Sequence, residues 1–181
     1  MKRRLIIALG LLISLPAVYA NQDKDLSALF GLLQSTSDPR EGAAVTRQIW
    51  SHWHTTDNVA AAELFDAGVQ HMANDELQQA REFFTRSIEQ DPTFAEAWNK
   101  RAMVHFWLGD VTQSAEDVKQ TLRLEPRHFG ALAGMGWIYL RQGDAIAART
   151  AFQRALHLNP FLHDIADNLQ QLERDIRRNA I

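Results

Sequence analysis

The chain has no cysteine, which excludes disulfides, thiol nucleophiles and attachment of a lipid through an N-terminal cysteine. It has no apolar run long enough to cross a bilayer as a helix. That takes about 20 residues, and the longest run, Leu5 to Leu15, has eleven. A surplus of positive charge is missing as well: 19 Lys and Arg stand against 22 Asp and Glu, a net −3. No nucleic-acid or other polyanion partner is therefore expected. His-Glu-x-x-His, a glycine-rich phosphate loop and Gly-x-Ser-x-Gly are all absent, so no enzyme activity and no cofactor are expected. The composition that remains, 46% hydrophobic and 23% charged over 181 residues, is that of a folded globular chain.

Residues 1–20 read as a leader, not as part of the fold. Lys2, Arg3 and Arg4 precede the apolar run, and Val18-Tyr19-Ala20 offers a small-residue exit before Asn21. That order describes a secretory signal peptide cleaved after Ala20. The mature chain would keep 161 residues, with 16 basic against 22 acidic, a net −6, and no stable membrane insertion.

Pro92, Pro126 and Pro160 are each 34 residues from the next, and cutting at 61–94, 95–128 and 129–162 aligns three units without a gap. Their fourth positions are Leu64, Trp98 and Leu132; their eighth are Gly68, Ala102 and Gly136; their eleventh are His71, His105 and Tyr139. The twentieth are Ala80, Ser114 and Ala148, and the twenty-fourth Phe84, Val118 and Phe152. Small residues at two positions let a pair of antiparallel helices approach, and large ones fill the space around them. Asp75-Glu76, Gly109-Asp110 and Gly143-Asp144 supply the turns between helices. Asp91-Pro92, Glu125-Pro126 and Asn159-Pro160 end each second helix, because proline cannot donate into a continuing one.

This pattern resembles the tetratricopeptide repeat, with the same period and the same order of large, small and proline positions over residues 61–162. Arg101 departs from it where a leucine is usual, and Ser114 and Thr121 replace alanines. The resemblance implies an all-α fold, a right-handed α-solenoid of three helical hairpins. After it, Ile165, Leu169, Leu172 and Ile176 fall on one helical face, so residues 163–181 are expected to cap the open end of the last repeat. Residues 21–60 also read as helical. Leu26, Leu29, Phe30 and Leu33 make one stripe, Ser37-Asp38-Pro39 starts a second helix, and Ile49, Trp50 and Trp53 cluster on it. The proline and small positions are missing there, so the segment is expected to be an N-terminal cap, with a degenerate repeat as the alternative. The order of leader, leucine-rich helix, tryptophan-bearing helix and three repeats is similar to small exported tetratricopeptide proteins of Gram-negative bacteria. The stretches 94–101 (FAEAWNKR) and 125–130 (EPRHFG) add to that likeness, which implies a periplasmic protein.

In that family the first helix of each unit lines a concave wall. The resemblance places Phe65, Val69 and Met72 of the first unit there, with Asn99, Met103, Phe106 and Trp107 of the second and Trp137, Leu140 and Arg141 of the third. Some members grip a terminal carboxylate with lysine, asparagine and arginine. The matching places here hold Phe65, Val69, Lys100, Gly130 and Gly134, so that clamp is not expected. An apolar wall with aromatics and methionines favours an amphipathic or extended hydrophobic segment of a partner protein. Asn99 would bond a bound backbone and Arg141 an acidic residue at the rim. The opposing possibility is that residues 23–60 fill this wall themselves. Self-association as a homodimer is the second reading, and histidines gathered around a metal or small ligand the third. His52 and His54 lie about 200° apart on a helix, poor geometry for sharing one metal, and His71 and His105 stand where packing tyrosines are usual.

Overall fold

The computed structural model describes residues 17–179, with side chains for residues 25–178. The leader expected at 1–20 lies outside the described residues, except that residues 17–20 begin the first helix. Among the described residues there are nine helices and no strand: α1 (Ala17–Ser35), α2 (Pro39–Trp53), α3 (Val59–Ala73), α4 (Leu77–Gln90), α5 (Ala95–Leu108), α6 (Val111–Leu124), α7 (Phe129–Arg141), α8 (Ala145–Leu158) and α9 (His163–Asn179). No helix among them is long and apolar enough to cross a membrane.

Helices α3/α4, α5/α6 and α7/α8 pair as antiparallel hairpins, and each second helix packs against the first helix of the next pair. Within a hairpin the large and small repeat positions meet directly. A Cβ at Gly68 would lie 2.7 Å from the Phe84 ring, and one at Gly136 would lie 2.3 Å from the Phe152 ring. In the middle unit the same contact is made by Ala102 and Val118, both buried, so a larger eighth residue is matched by a smaller twenty-fourth. The turns follow the sequence closely. Gly109 and Gly143 sit at φ +89° and +80°, a region that costs other residues strain, and Asp75 takes the same conformation at φ 61° in the first unit. Asp91, Glu125 and Asn159 each accept a hydrogen bond from the backbone N–H two residues on, closing the same turn around the proline three times.

Arg101, in place of the usual leucine, stacks over Trp98 and forms a bidentate pair with Asp117 of α6 at 2.7 and 2.8 Å. The pair joins the two helices of the middle hairpin through charge-assisted bonds, where the equivalent positions of the other hairpins hold the apolar Ala67 and Phe83, and Met135 and Ala151. At the far end Ile165 of α9 packs with Leu162 and Leu158 on a core of Leu132, Ala133 and Ala155, covering part of the last hairpin.

The position of α1 and α2 differs from the end cap expected at 21–60. They form a hairpin of their own that crosses the concave side of the stack rather than continuing it. Along α2 and the loop after it the contacts run backwards through the units. A Cβ at Gly42 would meet Phe161, Thr46 accepts from Asn159, Trp50 and Trp53 reach His128 and Phe129, and His54 reaches Glu96. Asn58 then bonds Gln90 and Thr56 bonds Asp91 at the end of the first unit. Fifteen helical residues span about 22 Å, enough to bridge the starts of successive repeats. Leu26, Phe30, Leu33, Val45, Ile49, Trp53 and Phe129 close a shared core, and Gln34 donates to the last carbonyls of α8 at 2.8 Å. The segment crosses the wall because its aromatic stripe matches Phe129 and Phe161, not the polar outer face of α3.

Candidate functional site

The crossing hairpin divides the concave wall in two. At the helix starts the wall is filled, and the filling is organised around one buried carboxylate. Glu96, in the first turn of α5, is completely inaccessible. Its Oε2 accepts from His128 Nε2 at 2.8 Å and Asn99 Nδ2 at 3.0 Å, while Oε1 faces His54 Nε2 at 3.2 Å and Lys100 Nζ at 3.3 Å. Four donors saturate two oxygens. Burial alone would raise the Glu96 pKa, but the bonds from His128 and His54 and the charge of Lys100 outweigh it and hold the carboxyl well below the usual range. His128 accepts from the Ala131 N–H through Nδ1, capping α7, so its Nε2–H is the donor to Glu96. Trp53 stacks flat on that imidazole, with centroids 4.0 Å apart and planes at 12°.

Beyond this plug the second halves of α5 and α7 remain open. They bound a cavity of about 480 Å³, lined by Met103, Phe106, Trp107 and Trp137, with Ala133 and Gly134 as its floor and Asn99 and Lys100 toward the plug. Trp50 of α2 forms the wall at that end. Its ring lies so close to α7 that a Cβ at Gly130 would sit 2.5 Å from it, and the Lys100 ammonium lies 5.6 Å over its face. At the other end Trp107 is half exposed. Arg141 stacks over Phe106 at 4.5 Å.

The residues expected on the groove therefore separate into groups. Met103, Phe106, Trp107 and Trp137 converge on the cavity, and Arg141 stands beside it. Two expectations are corrected. Phe65 is 2% exposed, packed between Phe84, Phe94 and His54, and presents no surface to a partner. Asn99 is 3% exposed with its amide N–H₂ engaged by Glu96, so it is a buried partner of that carboxylate and not a free reader of a bound backbone. Val69 and Met72 pack against the core of the first hairpin, and neither they nor Leu140 line the cavity. Trp50 is the lining residue that the repeat pattern missed, since it lies outside the repeats; the only sequence cue was its company in the Ile49-Trp50-Trp53 cluster. Among the described residues no group of three or more His, Asp or Glu side chains is placed to hold a metal ion.

Comparison with known proteins bears on this arrangement. Residues 99–163 match the family model of the tetratricopeptide repeat. A repeat-containing protein of Rhizobium etli is 27% identical over 154 residues, covering 85% of this chain and 76% of its own length. Anaphase-promoting complex subunit 3 of Schizosaccharomyces pombe is 33% identical over 85 residues, 47% of this chain but only 13% of that protein. Among solved structures, the first tetratricopeptide domain of Spaghetti bound to an HSP90 peptide superposes with a TM-score of 0.64 at 18% identity, covering 67% of this chain and 97% of that one. The Sgt2 domain from Aspergillus fumigatus gives 0.62 at 20% identity, covering 66% and 81%. Repeat period, hairpin packing, the family model over residues 99–163 and the structural neighbours agree: residues 61–162 fold as tetratricopeptide repeats.

Proposed function

We propose that the protein is a non-enzymatic interaction module of the bacterial periplasm that holds an apolar or amphipathic segment of a partner protein in the cavity between α5 and α7. The observation that carries this is the open apolar hollow left beside the plug, with Trp107 half exposed at its mouth. Water against that many aromatic and methionine side chains is unfavourable, and covering them drives association without demanding a particular backbone geometry. Two of the solved neighbours are complexes with an HSP90 peptide and with Hsp70, which supports a peptide-holding role for this wall. The basic start and short apolar run at residues 2–15 support export. Mass measurement of the protein from a periplasmic fraction should give a chain beginning at Asn21.

The decisive test is a photo-crosslinking amino acid in place of Met103, activated in living cells. A discrete protein adduct is expected, and its absence in every growth condition overturns the reading. Once the partner is in hand, Trp137→Ala should weaken binding by about 2 kcal/mol, as buried aromatic anchors do. Trp107→Ala gives the check that does not involve the core, because Trp137 also packs edge-on against Phe152 and Trp107 does not. If neither variant loses affinity, the contact lies elsewhere.

A further inference from the structure

We infer, resting on the groove reading above, that the cavity is blind at its α2 end and takes a single bulky apolar side chain, carried on a partner segment with a carboxylate beside it. A groove open along a solenoid would accept a chain running from one unit to the next. Here Trp50 is pressed onto the first turn of α7, and the Glu96 cluster lies directly behind it. An inserted side chain therefore stops at Trp50. The floor has room for one: a Cβ added at Gly134 would meet nothing nearer than Val118 at 3.8 Å. The volume of about 480 Å³ lies within the roughly 300–1,000 Å³ of pockets that enclose a small ligand, ample for one bulky side chain.

Charge supplies the second half of the argument. The chain is acidic overall, at net −3, yet among the described residues no carboxylate lines this cavity. Of the two cations at hand, Lys100 is already compensated by Glu96 at 3.3 Å. Arg141 is exposed, held only by its stacking on Phe106, and has no ion-pair partner among the described residues. Its guanidinium presents donors in a planar fork suited to a carboxylate. An apolar residue seated between Met103 and Trp137, with an acidic neighbour reaching Arg141, satisfies both features. A basic neighbour meets a like charge, which disfavours binding.

The test uses two blocked synthetic heptapeptides with the same central leucine-phenylalanine pair, one flanked by glutamates and one by lysines. Each is titrated into the purified protein at low ionic strength while the indole N–H signals of Trp107 and Trp137 are followed by NMR. The acidic peptide should bind about fivefold tighter, and the preference should fade at high salt as screening shortens the reach of Arg141. In Arg141→Glu the order should reverse; this side chain is exposed, so the fold is unaffected. Equal affinities, an unchanged order in Arg141→Glu, or no shift with either peptide overturns the inference. In any of those cases an adduct from position 103 leaves the groove reading standing and only the stated chemistry falls. Without an adduct the groove reading itself fails.

Discussion

Replacing Glu96 by alanine should cost about 3–5 kcal/mol of folding stability, measured by urea or thermal unfolding, because four donors lose their shared acceptor inside the protein. Glutamine at this site should cost about 3 kcal/mol despite its near-identical shape. It brings an N–H₂ group to face either the His128 and Asn99 donors or the His54 and Lys100 donors, so one side of the cluster opposes donor to donor. The same carboxylate predicts a pH dependence with a defined sign. Its pKa is depressed in the folded chain relative to the ordinary value of about 4.5. Its contribution is therefore fully present above that value and is lost as pH falls below it toward the folded pKa. The melting temperature of the native protein should drop on acidification below about pH 4.5, and that part of the drop should be missing in Glu96→Gln. A Gln variant as stable as the parent, with the same acid profile, would mean that the cluster is incidental to the fold.

The consequence reaches the groove, because Glu96 is where the crossing hairpin meets the repeats. Trp50 comes from α2 and His54 from the residue that ends it, His128 caps α7, and Lys100 lies between Glu96 and the Trp50 ring. Loosening the carboxylate should loosen the end wall of the cavity along with the fold. Stability and partner affinity are thus expected to fall together in Glu96 variants, whereas Trp107→Ala should move affinity alone.

The architecture was legible in the sequence because a repeat states its contacts three times. One proline means little, but Pro92, Pro126 and Pro160 in step with three small residues leave few folds that satisfy all of them. The wall residues Met103, Phe106, Trp107 and Trp137 were legible for the same reason: a repeat position prescribes a direction as well as a neighbour. The 17–58 segment has no such redundancy. Its aromatic stripe announced a buried helix face but could not say which surface it covers, and several apolar faces of a solenoid would serve. What decides the matter is long-range: Phe129 and Phe161 as receptors, Gly130 as the gap for Trp50, and Gln34 at the end of α8. Asn99 was read as wall surface on that account. Its repeat position does face the concave side, as does that of Glu96, and a hairpin from elsewhere in the chain then buried both.

The repeat itself contains an exchange that can be tested by moving it from one unit to another. In the third unit Gly136 lies under Phe152; in the second, Ala102 lies beside Val118. Each pair fills its space, and the two differ in how they divide it. Gly136→Ala alone should destabilise by about 3 kcal/mol, the upper part of the range for overpacking. Its new methyl would stand 2.3–2.8 Å from three atoms of a ring with 0% exposure and nowhere to turn. Better helix propensity of alanine over glycine returns only about 1 kcal/mol of that. Phe152→Val alone should cost a similar amount for the opposite reason, a cavity where the ring was. Combined, the two changes reproduce the middle unit's solution, and the double variant should recover most of both losses, a coupling of about 2–3 kcal/mol in a double-mutant cycle. Costs that simply add would show that the neighbours of α7 and α8 have set the helix separation, and that the eighth and twenty-fourth positions do not. The measurement is sharp because the donor and recipient units are in the same chain. The contact is shielded from solvent in both, so composition and hydration stay nearly constant while the partition of volume between the two helices changes.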